Sequence, residues 1–464
     1  MQHMGFSPDL AEIRFGCGLS PRLDGPASPG AMLAGLQGPD DMAAAFPIES
    51  FEQFRPRMLA MFELRKRMKK LRGTPEFDAL RKERNLANKA ARQDMVRWHG
   101  QMLMRWSHTR TGLRERLARF WSDHFTANGK SGVSRRARSP YVEEAIRPHL
   151  TGRFEDMLIA VETHPVMLMY LDQVRSTGPG SVAGKRSGGK RGLNENLARE
   201  VMELHTLGVD GAYTQNDVRQ LAELFTGLTF QPQVGFKFNR NMAEPGAETV
   251  LGNSYGGDPA RLEPVLQALR DLARHPDTAR HLAWKLAVHF VADDPDPGLI
   301  EAMAARYRET GGDLEQVYGA MLDHPAAWDE TLRNVKPPAD FIASAGRALA
   351  ISPERVARAN ERTLRRVLIA PMRFMGQPWQ EPGGPDGWPE QDEAWVTPQG
   401  VAARVRWALA APAVLRPDLP DPNEFVESAL GPFATGPLRF AAASAESRAD
   451  AIGLVLAAPA FQRR

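Results

Sequence analysis

A hydroxyl or imidazole residue followed directly by proline recurs along this chain, at Ser7-Pro8, Thr74-Pro75, Ser139-Pro140, Ser352-Pro353 and Thr397-Pro398, and at His164-Pro165, His275-Pro276 and His324-Pro325. Proline at the first helical position brings a preset φ and lacks the N–H that would otherwise go unsatisfied, while the preceding side chain can accept another orphan N–H. Each pair therefore predicts a helix start, and Ala458-Pro459 predicts one more short turn. The pairs follow no regular period of 20 to 50 residues, which argues against a solenoid. With the apolar periodicity, they predict helices over 50–70, 75–109, 111–127, 139–149, 165–174, 194–207, 214–227, 258–274, 277–290, 297–309, 326–348, 353–369 and 398–411.

Strand pattern is confined to one region. Residues 228–239 alternate apolar and polar side chains around a Gln-Pro-Gln-Val-Gly break, and Glu248-Thr-Val-Leu-Gly can return as a third short strand. The expected architecture is mainly α and multi-helical. It comprises an N-terminal helical lobe over 1–227, a hairpin or loop insertion over 228–256, and a C-terminal helical lobe over 257–464. Stretches 17–30, 175–193 and 371–396, rich in Gly and Pro, read as irregular.

Charge narrows the function classes. The 59 Lys and Arg nearly balance 56 Asp and Glu, yet residues 55–119 hold 19 of the basic residues against 6 acidic ones. A clustered cation face can bind a polyanion. Here the segment 75–109 also carries Phe77, Leu80, Leu86, Met95, Trp98, Met102 and Leu103 at helical spacing, so its charges are read as the wet side of a long helix, and nucleic acid is not the expected partner. Cys17 is the one cysteine, which excludes an intrachain disulfide framework and multi-cysteine metal sites. No run of 18 apolar residues occurs, and the first residues lack a basic stretch followed by an apolar one. As written, the chain is expected to be cytoplasmic, with no membrane span.

The loop 176–193 superficially resembles a phosphate-binding loop. The glycine that motif needs before Gly184-Lys185 is Pro179, and Arg186 stands where Ser or Thr would bind magnesium. A solvated basic connector is the default reading, with a flexible basic loop that contacts an anion as the alternative.

The stretch Asn194-Glu-Asn-Leu-Ala-Arg-Glu-Val-Met-Glu-Leu-His-Thr-Leu-Gly208 is the most informative. On a helix, Asn196, Glu200, Glu203 and Leu207 share one face beside the apolar positions Leu197, Val201 and Leu204. Gly208 is expected to end that helix, and Thr214 with Asp217 to cap the next, making a tight hairpin. Two carboxylates one turn apart, with Glu223 from the second helix, can hold a divalent cation or divide acid and base roles. Equally, Arg199 and Arg219 stand four residues before Glu203 and Glu223 and can neutralise them. His205 falls on a different face from Glu203, so no di-metal Glu-x-x-His motif is formed. His124 and His164 are the candidate imidazole partners from elsewhere.

Taken together, Arg14-Phe-Gly-Cys-Gly-Leu-Ser-Pro21, Phe120-Trp-Ser-Asp-His-Phe125, the His164–Asp172 and Asn194–Gly208 blocks, Tyr213-Thr-Gln-Asn-Asp-Val218, Lys285-Leu-Ala-Val-His-Phe-Val291 and Gly387-Trp-Pro389 closely resemble the bacterial family catalogued as domain of unknown function 1800. The resemblance covers nearly the whole chain. It implies a mainly helical protein, one whose relatives are often exported and encoded beside a family similar to phosphatases and sulfatases, which would supply a partner. By position it points to Asn194, Glu195, Asn196, Arg199, Glu200, Glu203, Tyr213, Thr214 and Asp217. The chain departs from its relatives at His205, where Phe is frequent, and at Ala243-Glu-Pro-Gly246, where His-Asp-Pro-Gly is frequent.

Two readings stay open from sequence. In one, Glu200 and Glu203 act as metal ligands or as an acid–base pair in hydrolysis or ligand binding, with Asn194 and Asn196 orienting the ligand and His124 or His164 assisting. In the other, the same residues form a buried polar network in a scaffold or partner-binding protein.

Overall fold

Three imidazoles cap helices in the computed structural model, which describes residues 5–188 and 190–464. The Nδ1 atoms of His164, His275 and His324 accept the backbone N–H two residues on, at 3.1, 3.2 and 3.3 Å. Ser7, Ser352 and Thr397 also cap, their hydroxyls accepting the backbone N–H three residues on. Two of the pairs behave differently. Pro75 is itself the N-cap of helix Glu76–His108, and Ser139 lies inside the short helix Arg138–Tyr141.

The chain is mainly α, and most predicted helices are found near their expected bounds, among them Phe51–Lys70, Glu76–His108, Gly112–His124, Gln215–Phe225, Pro276–Phe290 and Pro297–Thr310. The stretch 326–348 is broken. Pro325–Trp328 is a single 3-10 turn, and a new helix begins only at Pro338, because consecutive prolines at 337 and 338 deny the chain two N–H groups. Helices Phe154–Glu162 and Leu314–Asp323 were not expected from the pattern. On the long helix Glu76–His108 the apolar stripe is buried at Leu80, Trp98 and Leu103, whereas Leu86 is exposed.

The strands form two separate antiparallel hairpins. Strand β1 (Leu228–Gln231) pairs with β2 (Gly235–Phe238), and β3 (Gly246–Val250) pairs with β4 (Asn253–Gly257). Residues 246–250 therefore do not return to the first hairpin as a third strand. Leu251 and Gly252 both take positive φ, 50° and 79°, which makes the two-residue turn that folds β3 onto its own partner.

Buried side chains group into two clusters. One runs from Leu10 to Trp328 and includes the helices of 263–323; the other joins Val96, Leu103 and Trp106 of the long helix to helices between Pro338 and Phe461. The long helix thus supplies one face to each. The charged residues of 55–119 pair outward or across the fold: Arg57 meets Glu49 and Asp94, and Arg105 meets Glu143 at 2.7 Å. At the junction of the clusters, fully buried Arg347 holds the carbonyls of Gly18 and Thr109 and the carboxylate of Glu12 at 3.1 Å. Nearby, Asp340 receives Arg116, Arg119 and Arg464. Burial alone would raise the Asp340 proton affinity, but these three guanidiniums hold the carboxyl well below its ordinary range.

Candidate functional site

The helix that begins at Asn196 widens after Glu200 into a π-helical turn, Val201–His205. The extra residue per turn rotates everything after Glu200 relative to a regular α-helix, so the predicted stripe is split. Asn196 is exposed, Leu207 is buried, and Glu203 turns to Arg199. Arg199 holds Glu203 at 3.0 Å and Glu195 at 3.3 Å, and Gln215 of the next helix joins both Arg199 and Glu195. Arg219 holds Glu223 at 3.2 Å. Asn194 caps from outside: its side chain donates to the Leu171 carbonyl and accepts the Asn196 N–H. Thr214 and Asp217 form a reciprocal capping box, and Asp217 also accepts the Leu251 N–H, tying the hairpin to β3 and β4. The Tyr213 hydroxyl lies 3.4 Å from the Val209 carbonyl.

Among the described residues, Glu200 is the one carboxylate of the Asn194–Gly208 block with no guanidinium bonded to it. Burial raises its proton affinity; His205 opposes this, while Glu203 and Asp386 reinforce it. Asp386 belongs to the loop that carries Gly387-Trp-Pro389, so the Asn-Glu-Asn helix and that loop face a common space. Two further blocks meet them there. Asp123, in the last turn of helix Gly112–His124, accepts the Trp388 backbone N–H at 3.0 Å, and its other oxygen lies 4.0 Å from Arg138. Gly387 makes this approach feasible: its φ is +82°, and a Cβ there would lie 2.7 Å from the Asp123 carboxylate. From helix Pro276–Phe290, Lys285 and His289 arrive one turn apart.

His289 connects the buried arginines to this space. Arg116 can only donate, so the ring Nε2, 3.2 Å away, accepts, and Nδ1 carries the proton that faces both Glu390 oxygens at 2.9 Å. Burial, with the neighbouring Arg464 and Arg116, keeps the imidazole neutral far below its usual range. Burial raises the Glu390 carboxyl, against the pull of Arg464 and Lys285. It also pushes Asp123 up to about 6, reinforced by Glu390 and opposed by Arg138, the Trp388 N–H and Lys285. Burial lowers Lys285, which retains partial solvent access; Asp123, Glu390 and Asp386 act against that shift. Carboxylates raised toward neutrality beside a lowered amine, in one cleft, are what acid–base chemistry near pH 7 requires.

Asp123 and Glu390 line a cavity of about 90 Å³ between helix Gly112–His124 and the loop of 377–395. Four tryptophans, Trp106, Trp379, Trp388 and Trp395, share the wall with Arg138. Three wall donors are buried and unpartnered: Arg138 Nη1, Trp379 Nε1 and Trp395 Nε1. Buried donors are nearly always satisfied, so the three around this cavity mark where acceptor oxygens, of water or of a ligand, would sit.

The predicted histidines lie off this cavity. His164 caps its helix, packs on Phe51 and Tyr141, and stands 3.6 Å from Glu144. His124 is buried behind Asp123 in a cluster with His205 and His281, ring centroids 5.9 and 6.3 Å away; its Nε2 is 3.3 Å from the His205 carbonyl. His205 Nδ1 lies 2.7 Å from Glu162, both fully buried. Among the described residues, no group of three or more His, Cys, Asp or Glu side chains is arranged to hold a metal ion. From sequence the Gly387-Trp-Pro389 loop is a candidate partner contact in the scaffold reading, and Asp123, Lys285, Arg138 and Glu390 are not singled out. The available signal is that Asp123, Lys285 and Trp388 all lie within blocks that carry the resemblance.

The family model described as a protein of unknown function (DUF1800) matches residues 16–463. The chain belongs to the DUF1800 family. No curated protein and no solved structure matches it. Three of the blocks by which this DUF1800 chain resembles its family, those that hold Asp123, His289 and Trp388, line one cavity although the sequence scatters them over about 265 residues. No described helix is long and apolar enough to cross a membrane.

Proposed function

We propose that this protein is an enzyme whose carboxylate-centred site lies in the cleft of Asp123 and Glu390, acting in hydrolysis of a small, oxygen-rich substrate. One observation carries the reading: two carboxyls with raised proton affinity share a cavity wall with three buried donors that have no partner. Arg138 and the indole N–H groups of Trp379 and Trp395 hold substrate oxygens. Asp123, with a pKa of about 6, exchanges a proton with the reacting group near neutral pH. Glu390 is oriented by the His289 Nδ1–H.

A divalent-cation version rests on Glu200 rather than on the Glu200–Glu203 pair, because a cation at Glu203 would have to displace Arg199. The Glu195–Arg199–Glu203–Gln215 network is partly exposed rather than the buried network of the other reading, and it supports a bracing role across the hairpin for the remainder of the Asn-Glu-Asn block.

The test is a panel of chromogenic carboxylic esters, phosphate esters and glycosides assayed from pH 5 to 8. The expected result is turnover of one class, reduced about 100-fold or more in Asp123→Asn while the near-ultraviolet circular dichroism is unchanged. Turnover of none of the three classes, or turnover indifferent to Asp123→Asn, overturns the proposal.

A further inference from the structure

On the far side of the cleft wall runs an apolar groove of about 850 Å³ between helix Pro398–Leu415 and the segment 366–374. Trp407 and Ala411 are buried at its base, the small side chains Ala402, Ala403, Ala410 and Val414 flank them on the same helix face, and Phe374 stands at one edge with 70% of its surface exposed. The spacing from Gln399 to Val414 gives a length of about 22 Å at 1.5 Å per residue. Two arginines, Arg366 and Arg406, line it from opposite walls, both exposed, and neither makes an ion pair among the described residues. Their neighbours Arg365 and Arg373, by contrast, are paired with Glu361 and Glu381.

We propose that this groove docks an amphipathic helix of a partner protein, with leucine-like side chains on the face that enters and carboxylates on its flanks. The small flanking side chains let a helix axis approach closely, and the length suits about four turns. Arg366 and Arg406 supply a positive rim on both walls, so an acidic flank is the complementary partner and a basic one is repelled. The same rim would attract an anionic lipid surface, but a concave trough between two helices offers its apolar area inward rather than to a plane, which favours the helix.

The wall is thin. Pro371 and Phe374 of the short helix Ala370–Phe374 face the groove, while Met372 of the same helix lines the Asp123 cavity. A docked helix would therefore sit one side chain away from the cleft.

The experiment uses the full chain and a synthetic 16-residue helical peptide with Leu at positions i, i+3, i+4 and i+7 and Glu on the flanks, followed by fluorescence anisotropy. The expected result is saturable binding that weakens about tenfold with Lys in place of the flanking Glu, and about tenfold again for the Glu peptide on the Arg366→Glu, Arg406→Glu double variant. Ala410→Glu, an exposed position that would block the groove, is expected to abolish binding without changing the melting temperature. Equal binding of the Glu and Lys peptides, binding unaffected by Ala410→Glu, or association with phosphatidylglycerol-containing vesicles and not with the peptide, would each overturn the proposal.

Discussion

The carboxylate of Asp123 accepts the backbone N–H of Trp388, a residue 265 positions further along, at 3.0 Å. One hydrogen bond thus pins the loop of 377–395 over the helix that supplies the acid–base group. It also sets that group's environment, because closing the loop removes water from the carboxyl.

Asp123→Asn is expected to stabilise the protein while removing its activity. The folded carboxyl binds its proton with a pKa of about 6, against 3.8 when unperturbed. A raised carboxyl pKa means that the folded state holds the proton more tightly than the unfolded chain. The wild type therefore loses stability as pH rises from about 4 to 6 and does not recover it above 6. Asparagine keeps an acceptor for the Trp388 N–H and removes the buried charge, so at pH 8 the gain should be about 1–3 kcal/mol. Melting curves from pH 4 to 8 measure this; a variant less stable than wild type at pH 8 contradicts it.

Gly387→Ala should release the loop. The new Cβ would press on the Asp123 carboxylate and carbonyl, and the backbone there has φ +82°. A cost of about 1–3 kcal/mol is expected, together with increased quenching of tryptophan fluorescence by acrylamide as Trp379 and Trp388 become accessible. Unchanged quenching would mean that the Gly387–Asp123 contact does not hold the loop.

Much of this was readable in the sequence where the cause is local. His164-Pro165, His275-Pro276 and His324-Pro325 cap helices because an imidazole nitrogen and an N–H two residues away need no tertiary context. The Arg199–Glu203 and Arg219–Glu223 pairs were equally visible at four-residue spacing. The Thr214–Asp217 box was too. What the sequence did not disclose depends on distant partners. The π turn after Glu200 overrides the α periodicity that put Glu203 beside it, and Leu86 is exposed because no neighbouring helix covers that turn of a 33-residue helix. The pairing of Asp123 with Trp388 crosses most of the fold, so no local pattern could have set Asp123 above its neighbour His124.

His99→Leu should flatten the acid limb of the stability curve. His99 is 2% exposed, both its ring nitrogens are unpartnered, and burial lowers it to about 3. A histidine with a depressed folded pKa costs nothing above its unfolded value of 6.5 and destabilises progressively as pH falls from there toward 3. Leucine cannot titrate, so the stability of the variant relative to wild type should increase by about 2 kcal/mol between pH 7.5 and pH 5. Chemical denaturation at the two pH values checks the difference; a pH-independent gap refutes it.

Arg347→Ala is expected to cost about 3–5 kcal/mol, since it strands the Glu12 carboxylate and several backbone carbonyls in the interior. Burial already raises the Glu12 proton affinity, with Arg347 opposing. Adding Glu12→Ala should therefore cost little more, and a double-mutant cycle should show a strongly non-additive pair. Additive losses would mean that the two side chains do not act on one another.

The Glu12–Arg347 pair joins residues 335 positions apart. At ribosomal speeds of about 5–20 residues per second, helix Pro8–Arg14 waits about 20–70 s after its own synthesis before its guanidinium partner exists. For that interval the Glu12 carboxylate, destined for the interior, has no guanidinium to pair with, although Met32, Leu36 and Leu113 are already made and can cover the apolar side chains of its helix. The N-terminal helix therefore reaches its final electrostatic surroundings only after three-quarters of the chain has been made, and closing this pair is a late step of folding rather than an early one.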